Sequence, residues 1–166
     1  MREDDERQSL PVSVLGLWSQ SGKWVSLSVA TGSMRPLIRP GDRVTIRLGD
    51  PDRVRSGDIV AYLRNDRVFV HRLMLVWGHR GCRRFWQKGD ALSGWGAFDE
   101  EAFLGRVEQV HRGSALLDMD RGAWPLINRG LGMAGMARMM VIITGRWIKR
   151  RMTGNGSLNA KKRMNL

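Results

Sequence analysis

Between Lys23 and Met119 the chain repeatedly alternates apolar with polar residues at period two, the pattern of strands that lay one face on a core. Val25, Leu27 and Val29 alternate against Ser26 and Ser28, and RVTIRL repeats the pattern through Val44, Ile46 and Leu48. Ile59 to Leu63 and Val68 to Leu75 predict a hairpin about Asn65 and Asp66, residue types that tolerate the positive φ of a tight turn. A second hairpin should turn at Gly78 to Gly81 and return through Arg83 to Gln87. Strands at Leu104 to Val110 and Ser114 to Met119 complete a mainly β body, while SGWGAFDEE, in which Gly94 and Gly96 flank Trp95, reads as a surface loop.

Beyond Asp120 the period changes. Met133, Met136, Met140, Ile143 and Trp147 recur at helical spacing, and Arg138, Arg146 and Lys149 gather on the opposite side, which predicts a C-terminal amphipathic helix and then a flexible basic tail. The expected organisation is an N-terminal segment over 1–22, a β domain over 23–120, and a helix with tail over 121–166. A length of 166 residues suits one compact domain with a sizeable core.

Charge sharpens this division. The net charge is +12, all 16 acidic residues lie at or before Asp120 among 18 Lys and Arg, and the rest of the chain holds 10 basic residues and no acid. The excess therefore sits on the tail, which should seek an anionic partner. One reading lays the helix in the plane of an anionic membrane, in peripheral contact through residues 129–151 with Trp147 at the interface. The other packs it on the β body with a solvated basic face. Nucleic acid is not the expected partner. MREDDERQSL is acidic where a secretory signal is basic, and Leu10 to Trp18 is too short to span a bilayer, so a cytoplasmic or peripherally membrane-associated protein is expected. The single Cys82 excludes an internal disulfide.

The candidate chemistry begins at TGSMRPLIRPGD, Thr31 to Asp42. Ser33 follows Gly32 at a strand end, and Pro36, Pro40 and Gly41 constrain the backbone after it. A serine hydroxyl is a weak nucleophile unless a neighbour accepts its proton. A second block, SGDIVAYLRNDRVFVHRLM, runs from Ser56 to Met74, and a third, QKGDA, from Gln87 to Ala91. In this order the three blocks resemble the S24/S26 serine peptidase superfamily, which contains the signal peptidases and the self-cleaving LexA-type repressors; the resemblance covers roughly Val25 to Val110.

That resemblance implies a signal-peptidase/LexA-like β fold and a serine endopeptidase working through an acyl-enzyme on Ser33. His71 stands at the base position of V-x-x-(K/H)-R, and no lysine occurs between Lys23 and Lys88, so the resemblance is to the archaeal and endoplasmic-reticulum signal peptidases, which use histidine. By strand alternation His71 shares a face with Phe69 and Leu73, where desolvation keeps it a neutral base. The resemblance further implies that Asp90 orients the imidazole. A second family acid has no counterpart, since Gly96 falls near its place, and Asp99 is the alternative. Thr31 and the Ser33 N–H would stabilise the oxyanion, and Met34 would line the substrate cleft.

Each residue also has a plainer reading. His71 could be a core histidine, Ser33 and Asp90 turn residues, Thr31 a strand-end threonine and Met34 core filling. Asp42 and Asp58 read as turn residues. His79, Cys82 and His111 lack metal-ligand spacing, so no metal and no cofactor are expected. Two other functions remain open: a LexA-like self-cleaving regulator, for which the 22 residues before the first strand are few, and a non-catalytic module whose tail binds membrane or nucleic acid.

Overall fold

Eight strands form one antiparallel sheet in the computed structural model, which describes residues 23–138, 140, 141 and 144. They are β1 Trp24–Ser28, β2 Arg43–Leu48, β3 Ile59–Arg64, β4 Arg67–Trp77, β5 Arg84–Lys88, β6 Gly96–Asp99, β7 Phe103–Arg112 and β8 Ala115–Asp118. The sheet order is β1-β2-β7-β3-β4-β5-β6, with β8 on β7. The chain is mainly β, its sheet curled as a half-barrel, with one C-terminal helix.

Alternation becomes register directly. Val44, Ile46 and Leu48 of β2 are each at most 1 % exposed, and Asn65 and Asp66 close the β3–β4 hairpin with φ of 49° and 56°, the doubly left-handed turn whose twist suits two strands. Along β3, Ile59 and Ala61 enter one apolar cluster with Val44, Ile46 and Val107, while Val60 and Tyr62 enter another with Leu73, Phe85, Phe98 and Phe103. Both faces of β3 are thus covered. The second cluster contains a run of stacked rings: Phe69 on Tyr62 at 5.7 Å, Tyr62 on Phe98 at 4.2 Å and Phe98 on Phe85 at 5.1 Å.

One expected loop is a strand. Gly96–Asp99 pairs with β5, placing Gln87 opposite Gly96 and Arg84 opposite Asp99, whereas a stretch so short and rich in small residues shows no periodicity of its own. Bulges interrupt β2–β7 at Thr45/Ile46, β3–β7 at Ala61/Tyr62 and β4–β5 at Leu73/Leu75.

The chain divides into two compact units, Met1–Met133 and Ala134–Leu166. The first extends beyond the sheet into helical residues 124–133, which pack closely on the turn before β3: a Cβ on Gly132 would lie 2.6 Å from the Gly57 nitrogen. In the second unit, residues 134–138 are helical and the Thr144 hydroxyl donates to the Met140 carbonyl. Of the expected helix stripe, Met133 and Met140 are exposed and Met136 is half-buried. The N-terminal segment 1–22, Ile143, Arg146, Trp147, Lys149 and the basic tail lie outside the described residues. No helix among the described residues is long and apolar enough to cross a membrane.

Candidate active site

The β1–β2 connection carries Ser33 and is fixed at both its base and its crown. At the base, Val29 N–H donates to the Asp42 carbonyl and Gly41 N–H to the Val29 carbonyl. The Asp42 carboxylate accepts from Arg39 N–H at 2.8 Å and from Arg112 Nη2 at 2.7 Å, while the same Arg112 nitrogen donates to the Leu37 carbonyl. The hydrogen bond from Arg112 lowers the Asp42 pKa below the ordinary carboxylate range, against the opposing effect of burial. Asp42 therefore has the structural role its Gly-Asp context suggests.

At the crown, the Ser33 carbonyl accepts from Ala91 N–H at 2.9 Å, so the turn after β5 grips the serine's own peptide. Gly89 makes that approach possible, since a Cβ there would stand 2.7 Å from the Ser33 oxygen. Met34 is 2 % exposed within the first apolar cluster beside Ile38. It therefore anchors the loop from below and does not line a cleft, the more frequent use of a buried methionine.

Across from the loop, β4 presents His71, which is 7 % exposed. Its Nε2 lies 3.2 Å from Ser33 Oγ, within hydrogen-bond reach of a nucleophile and its base. The Thr31 hydroxyl is 3.5 Å from the same Oγ. Phe69 and Tyr62 tilt against the imidazole with centroids 6.2 and 5.9 Å away, the apolar side that strand alternation predicts. Burial there lowers the His71 pKa below 6.5, opposed by the Gln87 hydrogen bond and the Asp90 charge.

The group behind His71 differs from expectation. Gln87 Oε1 lies 2.6 Å from Nδ1, and the Tyr62 hydroxyl lies 3.1 Å from the same nitrogen. Asp90 is turned instead to Arg72, accepting from Nε at 2.8 Å and from Nη2 at 2.7 Å. The Arg72 side chain is wholly buried, and its Nη1 donates to the Gly57 carbonyl and to Asn128 Oδ1, both at 2.8 Å. A buried guanidinium requires this many acceptors, and the bidentate carboxylate supplies the countercharge. Asp90 therefore reaches the imidazole only through its field, and its hydrogen bonds hold the turn that grips Ser33. Asp99 lies at the far end of β5, exposed and 3.7 Å from Arg84.

The structure thus brings Thr31, Ser33 and His71 together, sets Asp90 beside them on Arg72, and leaves Met34 beneath and Asp99 apart. Gln87, Tyr62, Arg72 and Asn128 join the site unannounced by sequence. Gln87 did stand at the head of the QKGDA block, and strand register alone turns it toward His71. Among the described residues no group of three or more His, Cys, Asp and Glu side chains could hold a metal. No protein-family model matches the chain, and no curated protein matches it.

Proposed function

We propose that this protein is a serine endopeptidase of the signal-peptidase-like type, acting on a peptide or protein through an acyl-enzyme on Ser33. The observation that carries the reading is the 3.2 Å approach of His71 Nε2 to Ser33 Oγ, on a loop tied down at both ends. Ser33 Oγ attacks the scissile carbonyl carbon as its proton passes to His71 Nε2. The oxyanion is stabilised by the Ser33 N–H and the Thr31 hydroxyl. The C–N bond then breaks, the imidazolium protonates the leaving amine, and water hydrolyses the Ser33 ester with His71 again as base. The curled antiparallel sheet and the order of the three sequence blocks support the signal-peptidase-like form of this fold.

Labelling with a fluorophosphonate, which phosphonylates activated serines with loss of fluoride, tests the proposal. Wild type should carry the label on Ser33 by mass spectrometry, and Ser33→Ala and His71→Ala should carry none. Inert wild-type protein, or undiminished labelling of His71→Ala, would sink it. In this reading the basic residues beyond Asp120 bring the enzyme to an anionic membrane surface from its periphery.

A further inference from the structure

A neutral amide stands where a serine-histidine pair is normally backed by a carboxylate. Gln87 reaches His71 because β6 leaves it room: Gly96 is its register partner, and a Cβ on Gly96 would lie 2.8 Å from Gln87 Nε2. With its amide nitrogen on the Gly96 side, Gln87 turns Oε1 to the ring, and an amide oxygen can only accept. The imidazole proton is then on Nδ1, and Nε2 keeps the lone pair that faces Ser33. The Tyr62 hydroxyl lies 3.1 Å from the same nitrogen and, with the proton on Nδ1, can only accept there.

We propose that Gln87 is the positioning residue of this site: through the space left by Gly96 its amide fixes the His71 tautomer that can accept the Ser33 proton. The inference rests on the peptidase reading for its purpose, but not for its measurement. The charged group whose field reaches the ring is Asp90, which is itself paired with Arg72, and Tyr62 is the titratable group at Nδ1. A reversed arrangement, with Nε2 protonated, would leave His71 donating to Ser33 Oγ and unable to act as its base.

The test is the ¹⁵N spectrum of the imidazole nitrogens in the full chain, which has 3 histidines to assign. Wild type should carry the proton on Nδ1. Gln87→Ala should move it toward Nε2, and Gly96→Ala should do so as well, by pushing the intact amide aside. Gln87→Glu should keep the Nδ1 proton and raise the titration midpoint by about one unit, as an adjacent opposite charge does. Fluorophosphonate labelling read in parallel should slow roughly 100-fold in Gln87→Ala, the loss a small misplacement can cause. A wild-type ring protonated on Nε2, or variants that leave both tautomer and midpoint unchanged, would overturn the role of Gln87. Wild-type protein that never labels overturns the peptidase reading while the tautomer result stands, so the two failures are distinguishable. If Gln87→Ala does not fold, Gly96→Ala and Gln87→Glu carry the test.

Discussion

His71 is held at 7 % exposure against two aromatic rings, and the loss of solvation outweighs both influences that would raise its pKa. An imidazolium cannot accept the Ser33 proton. Fluorophosphonate labelling should therefore rise with pH through a midpoint below 6.5 and be flat above it, as a pH series of labelling rates will show. The same shift acts on folding. With the folded pKa below the unfolded one, the contribution of His71 is complete above about 6.5 and is lost as pH falls from there through the folded value. Urea midpoints over this range should fall more steeply for wild type than for His71→Gln.

Elements decide which of these residues can meet. Strand β2 was legible because strict alternation leaves one register that buries its apolar face, and β3 and β4 because two apolar runs flank an Asn-Asp turn. Strand β6 was not, because four residues beginning Gly-Ala carry too little side chain to show a period. Gln87 was equally hidden: its contact with His71 depends on the bulge between Leu73 and Leu75, which resets how β5 lies against β4. Sequence spacing placed Asp90 in a turn but could not say that its carboxylate would face Arg72. The β5–β6 turn and the Ser33 loop act as one piece through Ala91 N–H and the Ser33 carbonyl. Gly89→Ala should force them apart, reducing Ser33 labelling by tenfold or more, roughly the price of a sub-ångström displacement, while thermal unfolding shifts only slightly. Labelling at the wild-type rate would show that the turn does not position Ser33.

At the scale of the molecule, Arg72 ties together the β5–β6 turn, the turn at Gly57 and helical residue Asn128. Two energies compete in such a pair. The ion pair as a whole gives little net stability, because desolvating both partners offsets their attraction, but removing one partner strands a buried charge. Asp90→Asn should therefore destabilise the protein by about 3–5 kcal/mol in denaturant unfolding, and adding Arg72→Met should recover most of that loss. If Asp90→Asn costs no more than the double variant, the guanidinium is not held as described.

The Arg72 network also has an order in time. Ribosomes deliver the chain from its first residue onward, so Ser33 and His71 emerge well before Asn128, the last acceptor of the guanidinium. A nascent chain that has made the sheet but not this helix still lacks one of the ties on β4. The contact between Ser33 and His71 thus gains its full support late in synthesis, after every strand of the sheet has emerged.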